Sequence, residues 1–425
     1  MRKIIDNKVV SYLLIAVIFM LPLSAKFATL FIILALLASL LSADWKTFKS
    51  DLLSNRFFTI SILFYCLHLI GLLYSSNLDY GFRDIQTKLS FLIFPVLFVC
   101  YKPTHQQIEY MKAGLIAGCL LGIIICTFNA LSAYQNSFDG TVFFYTSFSR
   151  FMHPTYFGFY LNVCLVFLMD YGYRRISKNN SLTTIIYFLI VLMLMAGELL
   201  LSARMAMMVT AFTLTAFLVI NYIMRKQGWL TFAWIVILVV GVISEIQLNS
   251  YYNRFSQLES AIEKNDQQPS VTASPSGAVT TESYNSTTSR VALWKYATEL
   301  ITSSPLTFVA GVGTGDIKDE LREVYVRNNF EKGAIENYNP HNQYLHTMVI
   351  AGLIGLLLLI FLLLLPLFYS IKYKLFVPAV FLIVIMLNAL TESILEVQSG
   401  IIFFCFIFCM LVAELNLNEK QTVIK

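Results

Sequence analysis

Apolar runs of about twenty residues, separated by short polar clusters, recur along most of the chain. They predict twelve transmembrane helices, at about 9–25, 27–43, 57–74, 85–101, 111–134, 154–171, 182–201, 203–224, 229–248, 345–369, 375–391 and 399–416. The fourth run contains Lys88 and the seventh Glu198, ionisable groups that interrupt otherwise apolar faces. The alternating ten-residue pattern of a membrane barrel does not occur. Arg2, Lys3 and Lys8 precede the first run much as the basic start of a signal peptide would. However, no small-x-small cleavage site leads into a soluble domain, and the next run begins near Phe27, so an uncleaved first helix is expected.

One long polar stretch divides the pattern. The expected layout is a bundle of about nine helices over 1–248, a loop over 249–344, and about three more helices over 345–425. The loop opens with "LNSYYNRFSQLESAIEK". A Ser, Thr, Gln, Pro and Gly-rich insert near 265–289 follows, almost without aliphatic residues and expected to be disordered. "RVALWKYATELITSSP" then reads as an amphipathic helix ending before Pro305, "GVGTGD" as a glycine turn, and "IKDELREVYVRNNF" as a second amphipathic helix.

Charge sets the expected orientation. With the N-terminus inside, the inner segments carry seventeen of the thirty Lys and Arg and the short outer segments five. That asymmetry agrees with twelve spans, both termini in the cytoplasm and the long loop outside. Composition agrees with the class: of 425 residues 57% are hydrophobic and 13% charged, against about 25% charged in a typical soluble domain. Mean hydropathy is +0.70. The expectation is an all-α integral membrane protein. All seven cysteines fall within predicted spans, which excludes a disulfide framework and favours packing roles.

Ionisable residues at the outer ends of the spans are the candidates for chemistry. His341, in "NPHNQYLHTMVIAGLIG", is either a packed interfacial histidine beside a capping Asn342 or a base, since imidazole exchanges a proton near neutrality. Tyr344 stands beside it, and Gly352 and Gly355 would let a neighbouring helix approach closely. His346, five residues on, faces a different side of the helix, so a zinc site built from the pair is not expected. Arg204, at membrane depth, needs an anionic partner or a watery pocket. Glu198 is one such partner and an anionic ligand another. Arg290 opens the first loop helix as a solvated charge or as a phosphate-gripping guanidinium.

"SFSRFMHPTYFGFYLN" places Arg150, His153, Pro154 and Tyr156 at another outer helix entrance, as a capped start or as substrate contacts. Glu392 and Glu396, in "LTESILEVQSG", either position the arginines, hold an acceptor hydroxyl, or form structural ion pairs. "GVGTGD" lacks the strand and the spacing of a dinucleotide site, so a tight turn is its natural role. No Walker motif, Asp-x-Asp metal signature or catalytic triad occurs, and no cofactor is expected.

In order along the chain, "LLSARMAMMV", "RVALWKYATELITSSPLTFVAGVGTG" and "PHNQYLHTMVIAGLIGL" resemble the O-antigen ligase and polymerase superfamily of bacterial envelopes. The resemblance covers roughly 195–365, and "RFMHPTYFGFYLN" and "LTESILEVQSGIIFF" resemble a branch typical of Bacteroidetes. It implies a glycosyltransferase of the GT-C type in the bacterial inner membrane, with its site facing the periplasm. The implied reaction moves a glycan from a polyprenyl diphosphate to a hydroxyl acceptor, without metal and with inversion. Carried over by motif, Arg204 and Arg290 would hold the diphosphate, and His341 would be the general base. The implied partners are the lipid-linked glycan, a lipid A-core or other hydroxyl acceptor, and membrane lipid; nucleic acid is not among them. Two features depart from the family pattern: the low-complexity insert before Arg290, and Met205 where the family often has glycine. A lipid-glycan flippase or transporter is the reading from a different class. It calls for ionisable groups along a central path, whereas here they gather at one side.

Overall fold

A computed structural model of the chain describes residues 7–175, 181–225, 232–244 apart from 238 and 242, and 286–423. The first half of the molecule comprises α1 (Asn7–Met20), α2 (Ala25–Ser42), α3 (Trp45–Ser54), α4 (Arg56–Leu72), α5 (Leu78–Lys88), α6 (Ser90–Cys100), α7 (His105–Ser137), the short α8 (Tyr145–Phe148), α9 (Pro154–Arg175), α10 (Ser181–Leu201) and α11 (Arg204–Arg225). An apolar helix, α12 (Phe232–Gly241), follows. Beyond it come α13 (Ser286–Ile301), α14 (Pro305–Ala310), α15 (Ile317–Arg327), α16 (Glu331–Glu336), α17 (Gln343–Lys372), α18 (Phe376–Ala389) and α19 (Gln398–Val423). The described residues form helices and connections, without strands. The protein is an all-α integral membrane protein.

Among the described residues five helices are each long and apolar enough to cross a bilayer: α2, α7, the 182–201 part of α10, α17 and the 398–419 part of α19. Helices α3 and α4 together make a sixth candidate, bent by 84°. The bend falls at Asn55, whose side chain accepts from Phe58 N and so starts α4 as a separate helix. Helix α9 and the apolar part of α19 are buried on nearly every side and form the centre of the bundle. Leu30, Ile33, Leu34, Leu37 and Leu41 of α2 stay exposed, as a lipid-facing stripe does.

The fourth predicted span differs. It is broken at Leu89 into α5 and α6, and Lys88 closes α5 rather than lying inside a continuous helix. The physical reason is the ammonium, which is buried and therefore must meet carboxylates. Of the long loop, residues 265–285 of the expected disordered insert lie outside the described residues. Its last residues, 286–289, belong to α13.

The chain from α13 to α16 builds a second, smaller core. Leu293, Tyr296, Leu300, Leu321, Tyr325 and Phe330 pack together over Val349, Ile350 and Ala351 of α17. Helix α17 is kinked at Gly352, whose φ of 60° places it in the left-handed region that glycine adopts freely. A kink frees carbonyls, which inside a membrane protein need partners. The glycine turn supplies them: Val312 N donates to Val349 O at 2.8 Å and Gly313 N to Ile350 O at 3.0 Å. A Cβ on Gly352 would meet the Val309 backbone at 2.3 Å, and one on Gly311 the Ile350 carbonyl at 2.3 Å. The "GVGTGD" amides are therefore engaged. Asp316 completes the dock by accepting from Ser76 N and Asn77 N, just ahead of α5.

Candidate active site

The second core holds α13 and the start of α17 side by side, which brings Arg290 and His341 to the same end of the bundle. His341 lies just before the Asn342 cap of α17 with φ 45°, an uncommon conformation for a side chain with a Cβ. Two asparagines determine it. Asn339 Oδ1 accepts the His341 N–H at 2.8 Å, and Asn342 Oδ1 caps the helix by accepting from Tyr344 N and Leu345 N at 3.0 and 3.1 Å. Local strain over-determined by its surroundings is a feature of functional positions.

The third member arrives from far along the chain. Glu392 lies in the connection between α18 and α19, with Oε2 3.1 Å from His341 Nδ1 and Oε1 accepting from an Arg290 terminal nitrogen at 2.9 Å. One carboxylate thus bridges an imidazole and a guanidinium. Its two partners are about one-third exposed, 34% for His341 and 32% for Arg290, against 11% for Glu392. The bridge is anchored from within, and its two partners open outward.

Two further bonds fasten the 390–397 connection to the start of α17, and a third ties that start to α18. Leu395 N donates to Gln343 Oε1 at 2.8 Å, Ser393 Oγ reaches Asn339 Oδ1 at 3.4 Å, and the Tyr344 hydroxyl donates to Met386 O at 3.0 Å. The Tyr344 phenol is accordingly committed to α18. His153 stands at the mouth, where Nδ1 accepts from Thr155 N at the start of α9. Partial burial pulls the His153 pKa down, with His341 adding to that effect and Glu392 opposing it, so these three groups share one field. Arg150 is not drawn in. It donates to Asn129 on α7 at 2.6 Å. Arg204 opens α11, and its side chain lies outside the described residues. Glu198 is buried and accepts from Thr210 Oγ1 at 2.5 Å.

Beneath the bridge lies a group of charges that the sequence pattern did not bring together. Glu396 Oε2 is 3.0 Å from both Lys88 Nζ and His346 Nε2, and Lys88 also binds Asp84 Oδ1 at 2.5 Å. The available signal was the i,i+4 spacing of Asp84 and Lys88, which places opposite charges on one helix face. Glu396 was a candidate for an ion pair, but nothing local pointed to Lys88 and His346 as its partners.

Residues 188–360 match the family model described as O-antigen ligase. Over this stretch the chain is similar to O-antigen ligases. The stretch runs from within α10 to the kinked part of α17, and takes in Arg204, Arg290 and His341. Glu392, Glu396 and His153 fall outside it and join the site through the fold. Members of the O-antigen ligase family are membrane glycosyltransferase-like enzymes, acting on a lipid-linked glycan donor and an acceptor in the membrane. The chain is accordingly assigned to ligase- or polymerase-type glycan transfer. No curated protein matches it.

Proposed function

We propose that this protein moves a glycan from a polyprenyl diphosphate to a hydroxyl acceptor, lipid A-core in the first instance, at the periplasmic face of the bacterial inner membrane. The carboxylate of Glu392, shared between His341 and Arg290, is the observation that carries this reading. With Nδ1–H donated to Glu392, the lone pair of His341 Nε2 is left to take a proton. In the proposed step the acceptor oxygen attacks the anomeric carbon while its proton passes to His341. The bond from that carbon to the diphosphate oxygen breaks, and the configuration inverts.

Charge develops at two places, and each has an opposing group. Glu392 stabilises the imidazolium as it forms. Arg290 spends one N–H on Glu392 and keeps the rest of its fork for phosphate oxygens. Arg204 is assigned to the same diphosphate by the family motif. Fixed cations of this kind stabilise a leaving group at no cost of reorganisation during the reaction. Asn342 holds the turn that presents His341, and His153 stands where an acceptor or donor sugar would enter. The proposed step needs no metal.

The test is transfer by purified protein in lipid vesicles, with a polyprenyl-diphosphate glycan as donor and lipid A-core as acceptor, followed by product size on a gel. Glycan joined to lipid A-core by wild type, and lost in His341→Ala, supports the ligase reading. Longer lipid-linked glycan would make the protein a polymerase using the same residues, and a glycosylated protein acceptor an O-oligosaccharyltransferase. Donor crossing the bilayer with no transfer to any acceptor would replace the enzyme by a flippase.

A further inference from the structure

Four ionisable side chains close together under the site, Asp84, Lys88, His346 and Glu396, are each no more than 8% exposed. Such a cluster is a poor device for stability alone. Burying charges costs several kcal/mol per ion, on the order of what their mutual attraction returns. Here Asp84 Oδ2, Glu396 Oε1 and both ring nitrogens of His346 are moreover buried without an aligned hydrogen bond, so His346 Nε2 meets Glu396 as a close 3.0 Å contact. What the cluster does fix is place. Lys88 ends α5, His346 sits in the first turns of α17, and Glu396 belongs to the 390–397 connection, so one carboxylate ties three elements together.

The same connection carries Glu392 four residues earlier, and its other ties to the start of α17 are the two bonds from Leu395 N and Ser393 Oγ. Between the end of α18 and the start of α19 it forms turns and bends. At the Glu396 end, Gly400 passes so close to Ile394 O that a Cβ would sit at 2.0 Å. At the Glu392 end the carboxylate meets two partly exposed partners, an imidazole and a guanidinium. A carboxylate with exposed partners has little intrinsic rigidity, and a buried one fixed by two partners has much.

We infer that Glu396 is a positioning residue: clamped by Lys88 and His346, it locks the 390–397 connection so that Glu392 stays between His341 and Arg290. The inference rests on the glycosyl-transfer reading only for its consequence in catalysis, since the clamp itself is a matter of geometry. Asp84 takes part indirectly, by holding the Lys88 ammonium from the same helix.

The test uses the full chain in lipid vesicles and has two readouts. The first is independent of activity. Asn339→Cys and Ser393→Cys are introduced together, and their linking by a short, membrane-impermeant bifunctional methanethiosulfonate is timed, with and without Glu396→Gln. A locked connection links quickly, and Glu396→Gln should slow linking several-fold. The second readout is transfer kinetics without the cysteines. Glu396→Gln should lower kcat by about 10–100-fold, the scale of a misplacement near 1 Å, and leave the donor KM within two-fold. In a Glu392→Gln background it should lower kcat no further.

An unchanged linking rate overturns the inference, and so does a Glu396→Gln effect that simply adds to that of Glu392→Gln. If linking slows while even the wild type transfers no glycan, the clamp stands and the glycosyl-transfer reading falls. If Glu396→Gln does not accumulate as folded protein, the pair Lys88→Met with Glu396→Met removes both charges together and must slow linking in the same way.

Discussion

Glu392 and Glu396 are identical in chemistry, four residues apart in one connection, and opposite in use. Glu392 meets an imidazole and a guanidinium that are about one-third exposed, so its partners can exchange it for water or for an incoming anion. Glu396 meets an ammonium and an imidazole exposed by 1% and 3%, so neither can. The same functional group is adjustable in one setting and fixed in the other, and the difference is made by burial. Mutations around Glu392 should therefore be felt in turnover, and mutations around Glu396 first in folding and in the placement of the connection.

The largest expected effect is on the open side. His341→Ala should lower transfer by about 10²–10⁴-fold, the contribution of a general base, with the unfolding midpoint in detergent close to wild type. A midpoint falling in step with activity would make His341 structural and erase the contrast. Next is Lys88→Met, which leaves Asp84 as a buried, unpaired carboxylate and Glu396 with His346 alone. Breaking a buried pair in this way costs about 3–5 kcal/mol, seen as loss of folded protein or a lower midpoint in thermal denaturation. Glu392→Gln should cost about 10–100-fold in kcat, less than His341→Ala because the base itself remains. Its stability should change by about 1 kcal/mol or less, since the partners are exposed.

The apolar runs were legible because hydropathy is a local property. The breaks at Leu89 and Gly352 were not, because each exists to meet a distant partner. Lys88 needs Glu396, 308 residues away, and the carbonyls freed at Gly352 need the amides of the glycine turn. Arg290 and His341 could be singled out by residue type and by resemblance. Glu392 was visible as a candidate, but its role between them was not, since the pairs span 102 and 51 positions. That His346 points away from His341 follows from their five-residue spacing, whereas its partner required the fold. In "GVGTGD" sequence showed the turn but not what it docks against.

The smallest effect expected is with pH, and it separates two carboxylates of the fixed cluster, which lie outside the predicted spans. Burial pushes the Glu396 carboxyl up, but the His346 and Lys88 charges and hydrogen bonds outweigh it and hold it well below the usual range. Its stabilising contribution is then present above the ordinary glutamate value of about 4.3 and lost as pH falls through the lower, folded value. Asp84 behaves oppositely. Burial pushes its carboxyl up, Glu396 adds to that, and Lys88 and His346 only partly oppose it. A raised carboxyl binds its proton more tightly in the folded state, so Asp84 adds stability as pH falls from its folded value towards the ordinary aspartate value of about 3.9. The unfolding midpoint should hold or rise slightly on mild acidification and then drop below about pH 4, where the unfolded chain takes up a proton at Glu396 that the folded carboxyl still excludes. Asp84→Asn should flatten the first part and leave the second. A midpoint that falls steadily from neutrality, unaltered by Asp84→Asn, would mean that the two carboxylates titrate as one group and that Glu396 has no privileged hold on the connection.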